Sequence, residues 1–494
     1  MAEAAILSLD SYGQKALERK FRERIHRELD KWIDLLENAM DDKEKPSGLW
    51  GITEGIRQQR EALMGTVARE WIEKEYASYI HQEHANCPVC GRWLKRQDVC
   101  QRTLETMIGQ ITIHRPYFYC SVCRHGFYPL DEALNLSSRK KQYDMQEAAV
   151  DLAKEVPYEK ASELFTNLSG VSMSDHVMHE IANAAGDELS VLDMSPTSDE
   201  IASRIREVSS GKRWRPIMVL GIDGADVATR PESAKGSGRG RKKHRAKRAK
   251  WKGEWREAKG FRIYLVDDDR IVHLLSWHQV QNEAELASSL RQVKEAGLFD
   301  EASVRLCAVA DGSQWIWNRV QELFPTAREI LDFYHCSKHI HEVASNQYAD
   351  NPLKALEWVE ATMARLFCGE GDRVIWGLAR MKPRDTPTRQ VIDRCGKYLE
   401  KHLHRIDYGS HRKGGYPIGS GGIESAHRFI CHARLKRSGA WWYSNYWRTA
   451  TECWHCVVQI TMAPSREFFR NMFGKIRCLE LRNAHNLLDT LLKR

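Results

Sequence analysis

Two short apolar runs decide what kind of core this chain can build. Ile217-Met-Val-Leu-Gly-Ile222 and Val304-Arg-Leu-Cys-Ala-Val-Ala310 each lead directly into an Asp-Gly pair, Asp223-Gly224 and Asp311-Gly312. Runs of this length and composition read as strands of a buried sheet. An Asp that ends such a strand sits on a rigid frame where loops and polar groups converge, and it still faces solvent. The glycine beside it lets another backbone come close. Two further strands are expected at Phe261–Val266 and Ile271–Ser276, joined by a turn whose Asp267, Asp268 and Asp269 are turn formers. A helix over 282–296, a helix after Asp311 and a short strand near 328–333 complete the segment.

The order strand, strand, strand, helix, strand, helix, strand and final helix is that of an RNase H-like α/β fold. At 494 residues the chain exceeds one compact domain, and its length suggests about three or four. Leu17, Phe21, Ile25, Leu29, Trp32 and Leu36 mark one amphipathic helix, and Ile56, Leu63, Val67, Trp71 and Ile72 mark a second. A helical hairpin and a dimerising arm fit these two equally. Gln110–Tyr119 reads as a strand, 144–190 and 337–405 as helical, 409–422 as a glycine-rich loop, and the region containing Glu424 as a last helix. The expected fold class is multidomain α+β. The divisions are 1–82 helical arm, 83–133 zinc ribbon, 134–205 helical and helix-turn-helix-like, 206–336 first part of the catalytic core, 337–414 helical insertion, 415–465 final core helix, and 466–494 helical tail.

Two aspartates on neighbouring strands could share a divalent cation, and a third acid would complete the site. Mg²⁺ takes oxygen ligands and keeps several waters, so two or three carboxylates suffice. Glu424, in Gly419-Ser-Gly-Gly-Ile-Glu-Ser425, begins a helix, where an acid is also favoured by the macrodipole alone. Asp332 ends a strand before Phe333-Tyr-His335. Spacing does not choose between them, and Asp226 reads as a turn cap.

Ile222-Asp-Gly224, Ala310-Asp-Gly312, Leu331-Asp-Phe-Tyr-His335 and Gly422-Ile-Glu-Ser425, followed by Arg434-Leu-Lys-Arg-Ser-Gly-Ala-Trp441, together resemble bacterial insertion-sequence transposases of the DDE class. The nearest group is the ISKra type, related to Mutator-like elements. The resemblance covers roughly residues 85–460, and the order of the motifs behind a cysteine module is more specific than any one of them. It implies that Asp223, Asp311 and Glu424 are catalytic and bind Mg²⁺ or Mn²⁺. Water would then attack the transposon-end phosphate, and the freed 3′-hydroxyl would attack target DNA. Asp332 and His335 resemble an auxiliary Asp-x-x-His element near that site; a hydrogen-bonded histidine at a strand end fits them equally. Arg434, Lys436 and Arg437 would contact DNA, and the protein would act as a homo-oligomer, a dimer, on DNA.

Cys87-Pro-Val-Cys90 and Cys120-Ser-Val-Cys123 are two C-x-x-C knuckles. Four thiolates suit tetrahedral Zn²⁺ in a structural role, and an extended β-hairpin through Thr103–Tyr119 accounts for the long spacer. A redox pair would need a thioredoxin-like context, which is missing. Cys307, Cys368 and Cys478 read as buried, reduced thiols, Cys100 as a spare core thiol, and Cys453-Trp-His-Cys456 as packing. Tyr158–Leu168, a turn over Ser169-Gly-Val-Ser-Met173, and a helix capped by Ser174 form a helix-turn-helix candidate that presents Ser174, His176 and His179 to DNA. An ordinary helical hairpin fits the same residues.

Ten cations fall in 235–252 with no acid among them: Lys235, Arg239, Arg241, Lys242, Lys243, Arg245, Lys247, Arg248, Lys250 and Lys252. They exceed the net charge of +8 of the whole chain, so the basic character is one stripe. Such a stripe suits a polyanion, through counterion release, and equally a solvated linker. The absence of a long apolar run, and an N-terminus unlike a secretory signal, lead to the expectation of a cytoplasmic, nucleoid-associated protein with DNA as partner and no membrane. The alternatives are another RNase H-like nuclease, such as a resolvase or structure-specific nuclease, and a non-catalytic DNA-binding protein derived from a transposase. No phosphate-binding G-x-x-x-x-G-K-[ST] loop is present, against an ATP-driven motor.

Overall fold

The computed structural model describes residues 2–40, 48–187, 190–230, 253–268, 270–432, 436 and 442–443. They form a mixed α+β protein of two units, one running to Ala185 and one from Gly186 to Pro464.

In the first unit α1 (Ala2–Met40) and α2 (Gly48–Glu75) pair as a hairpin. Phe21 meets Trp71 edge-on at 5.4 Å, and the Trp32 indole N–H donates to the Gln59 carbonyl at 2.8 Å, so the helices run in opposite directions. After α3 (Ala77–Ile80) come the short strands β1 (His84–Asn86) and β2 (Trp93–Lys95). The long hairpin β3 (Asp98–Thr106) and β4 (Gly109–Cys120) follows, then β5 (His125–Phe127). Alternate residues of this hairpin, Leu104, Ile111 and Ile113, bury with Leu130 under Ile72, Tyr76 and Ile80. A Cβ at Gly65 would lie 2.3 Å from the Gln110 carbonyl oxygen, so only glycine lets α2 reach the β4 backbone. Four helices follow: α4 (Pro129–Ala133), α5 (Tyr143–Glu155), α6 (Tyr158–Ser169) and α7 (Asp175–Asp187).

The second unit opens with α8 (Ser198–Ser209), which crosses the division expected at 205/206 and donates from Arg204 to the His273 carbonyl. Its strands are β6 (Ile217–Arg230), β7 (Glu254–Asp267), β8 (Arg270–Val280), β9 (Arg305–Ala310), β10 (Arg328–Leu331) and β11 (Trp442–Tyr443). Helices α9 (Glu283–Glu295) and α10 (Gln314–Leu323) flank β9. Beyond β10 come α11 (Phe333–Gln347), α12 (Pro352–Phe367), α13 (Gly371–Arg380), α14 (Thr386–Lys401), α15 (Tyr408–Lys413) and α16 (Gly421–His427). The sheet order is β10-β9-β6-β7-β8, with β11 also paired to β6. β6, β7 and β8 are antiparallel neighbours, whereas β9 is parallel to both β6 and β10. Met218, Val219, Leu220, Cys307, Ala308 and Val309 are all buried, which explains why these runs are apolar at successive positions.

Several expectations need correction. β6 does not stop at Asp223. Its parallel pairing with β9 ends at Ile222, but its antiparallel pairing with β7 continues to Thr229↔Glu254, and Val227 and Thr229 are fully buried. That pairing lengthens β7, and the β7–β8 pairing out to Ala258↔Val280 lengthens β8, beyond the apolar cores read from sequence. The glycine-rich stretch 409–422 contains α15, and the helical stretch expected from 337 begins at Phe333. Cys368 is exposed, because it caps the C-terminus of α12, where the chain turns away. Cys307 is buried as expected, in a strand; Cys453, Cys456 and Cys478 lie outside the described residues. Among the described residues, no helix is long and apolar enough to cross a membrane.

Candidate active site

The strand register sets up a row of acids. Ile222 lies beside Ala310, and Ala310 beside Leu331, on three neighbouring parallel strands. The next residues, Asp223, Asp311 and Asp332, therefore share one row at the carboxyl ends of the parallel ladders. The ladder extends one bond further, from the Asp332 N–H to the Ala310 carbonyl at 2.8 Å.

Each carboxylate has its own surroundings. Asp223 is partly exposed; one oxygen accepts the Gly224 N–H at 2.8 Å, and the other stands 3.3 Å from Nδ1 of His427. Asp311, also partly exposed, accepts the backbone N–H and the hydroxyl of Ser313 at 2.8 and 3.1 Å. Asp332 is fully buried and caps α11, accepting the His335 N–H at 2.6 Å, while its second oxygen accepts the Ser420 N–H. Burial opposes its charge, but the hydrogen bonds from His335 and Ser420 win and hold its carboxyl below the usual range. The same contact raises the His335 imidazole, whose Nδ1 lies 3.4 Å from Asp332.

Glu424 is exposed on α16 and accepts the Ser420 hydroxyl at 3.0 Å. That short helix lies on the sheet because two glycines leave room. A Cβ at Gly221 would come within 3.0 Å of the Ile423 Cβ, and one at Gly422 within 2.6 Å of the Tyr264 ring. Arg262 donates to the Gly422 carbonyl at 2.7 Å. The ligand atoms of Asp332, His335 and Glu424 all fall within 4.8 Å of one another and could hold a cation, whereas Asp223 and Asp311 stand outside this closest group. Both sequence candidates for the third acid thus meet in one place. Sequence reasoning passed over Ser420 and His427; the spacing Glu424-x-x-His427, one helical turn, is the signal that could have found the histidine.

The four cysteines also converge. Cys87 and Cys123 sulfurs are 4.0 Å apart and those of Cys90 and Cys120 are 3.7 Å apart. Tetrahedral Zn–S bonds of about 2.3 Å require S–S separations of about 3.8 Å, so the quartet fits a zinc ion. The Cys120 thiol is lowered to about 7, chiefly by a hydrogen bond from the Cys123 backbone. Cys100 is not in the group.

Of the expected DNA contacts, Ser174 caps α7 and is exposed, and His176 is exposed beside Glu180 at 3.4 Å. His179 is half-buried, edge-on to Tyr158 at 5.0 Å, and so belongs to the packing of α6 against α7. Lys436 is exposed. Arg241, Lys242, Lys243, Arg245, Lys247, Arg248, Lys250, Arg434 and Arg437 lie outside the described residues.

Among solved structures, the Drosophila P element transposase strand transfer complex aligns with 67% of this chain and 90% of its own at 9% identity, with a TM-score of 0.25. No curated protein matches the sequence. A family match spans residues 90–445, the cysteine module from Cys90 onward and nearly all of the second unit. The chain therefore belongs to the family described as "Uncharacterised protein family (UPF0236)".

Proposed function

We propose that the second unit is an RNase H-like core and that the chain is a DNA transposase of the DDE type, cleaving element ends and joining them to target DNA. The observation that carries this reading is the placement of Asp223 and Asp311 side by side where the parallel β6–β9 ladder ends, with Glu424 on a helix laid over the same sheet. The strand order, three antiparallel strands extended by two parallel ones, supports the fold. Partly exposed carboxylate oxygens on rigid strands suit a hard cation such as Mg²⁺ or Mn²⁺. Such a cation supplies an activated oxygen nucleophile and stabilises the leaving oxygen of a phosphodiester. Asp223 and Asp311 would hold it from the strands, Glu424 would add an oxygen from α16, and the Ser420 hydroxyl, hydrogen-bonded to Glu424 at 3.0 Å, would orient it. Asp332 is fixed by its cap to α11 and aims His335 at the group.

The cysteine quartet is read as a structural zinc ribbon, α6–α7 as a helix-turn-helix segment, and 235–252 with Arg434, Lys436 and Arg437 as DNA contacts. The divisions given above, a dimer on DNA, and a nucleoid location belong to the same reading.

The test is metal-dependent cleavage and joining of duplexes carrying the element ends. Asp223→Asn, Asp311→Asn and Glu424→Gln should each lower the cleavage rate by about three orders of magnitude, with end binding retained. Asp332→Asn keeps a good helix cap. Wild-type cleavage by Glu424→Gln would transfer the third ligand to Asp332, and cleavage without joining would identify a nuclease.

A further inference from the structure

The row of acids continues across the antiparallel half of the sheet. Asp223 lies opposite Gly260 on β7, and Gly260 opposite His278 on β8. Because residue 260 has no side chain, the His278 ring can lie over it; a Cβ there would be 2.1 Å from the ring. His278 is fully buried and meets His427 edge-on, with ring centroids 4.7 Å apart. His427, 5% exposed, in turn brings Nδ1 to 3.3 Å from the second oxygen of Asp223.

We propose that His427 is the positioning residue that sets Asp223 for cation binding, buttressed by His278 across Gly260. This rests on the reading of Asp223 as a cation ligand. One helical turn of α16 then carries both Glu424 and the group that orients Asp223, so the spacing between a strand-borne and a helix-borne carboxylate is set within three residues. One Asp223 oxygen accepts the Gly224 N–H, and the other faces Nδ1 of His427. Each oxygen keeps a further lone pair for a cation. Packing alone does not explain an imidazole here. Its Nε2 is buried with no hydrogen-bond partner among the described residues, and burying it costs desolvation energy that a phenyl ring would avoid. What the imidazole adds is the nitrogen facing Asp223. Groups that orient a metal-binding carboxylate typically change metal affinity by about 10- to 100-fold when removed.

Mn²⁺ binding to the full-length protein without DNA, followed by the loss of free-ion paramagnetic resonance signal, tests this. Asp223→Asn should weaken Mn²⁺ binding; if it does not, the cation reading of Asp223 fails, whatever happens at His427. Given that loss, His427→Phe keeps the ring and removes the nitrogens, whereas His427→Asn keeps a nitrogen near the Nδ1 position and gives up the ring. Positioning predicts a loss of about tenfold or more for the Phe variant and rescue to within about threefold for the Asn variant. A packing role predicts the reverse order. Wild-type affinity in the Phe variant, or equal losses in both, overturns the proposal. DNA affinity, measured without divalent cation, should be alike in wild type and the three variants.

Discussion

At the scale of single residues, His402 shows how burial becomes a pH dependence. It is fully buried, accepts from Arg405 at 2.9 Å through Nδ1, and Arg405 lies over the Trp317 ring. Burial, with the charge of Arg405 second, lowers its imidazole from 6.5 to about 4. Below pH 6.5 the unfolded chain takes up a proton at this position and the folded protein does not. Stability is therefore lost as pH falls from 6.5 towards about 4. In urea titrations the gap between wild type and His402→Asn, which keeps an acceptor for Arg405, should change by at most about 1.4 kcal/mol per pH unit in this window. A gap that stays constant would mean that His402 takes up its proton in the folded state. Legibility at this scale was uneven. Asp223 and Asp311 stand out in the sequence because each ends an apolar run. Asp332 and Glu424 compete there, since nothing local reveals that Ser420 links them through two hydrogen bonds. His278 carries no sequence signal at all, because its role depends on the missing side chain of Gly260, on the strand between it and Asp223.

Among the elements, the strand cores were legible and their ends were not. Apolar runs mark where β6 and β9 are buried on both faces, but the extension of β6 to Arg230 depends on a partner more than twenty residues away. The β3–β4 hairpin was more readable, because Thr, Ile and aromatic residues alternate along it and the cysteines bracket it. It carries Cys120 at its end and so brings the second knuckle back to the first. Purified protein should contain about one zinc per chain by elemental analysis. Cys87→Ser or Cys123→Ser should remove most of it, and Cys100→Ser, outside the quartet, should not. Zinc absent from wild-type protein refolded with the metal would remove the ribbon.

For the whole molecule, the basic stripe is the dominant charge feature. It connects the end of β6 to the start of β7, two strands paired up to Thr229↔Glu254. Neutralising about five of its cations should weaken binding to element-end and random duplexes alike and flatten the plot of log affinity against log salt. An unchanged slope on both would make it a solvated linker. Thr229 lies six residues along the strand from Asp223, roughly 20 Å. At Thr229 and Arg230, β6 is joined in parallel by Trp442 and Tyr443, which follow the Glu424 helix in sequence. Thr229, beside the root of the stripe, is thus tied along β6 to Asp223 and by backbone pairing to β11, which follows α16 and Glu424 in sequence. On the proposed reading, DNA held at the stripe would restrain both ends of the carboxylate set. Were both proposed ligands bound, thermodynamic linkage would make the effect mutual: whatever factor DNA added to cation affinity, the cation would add to DNA affinity.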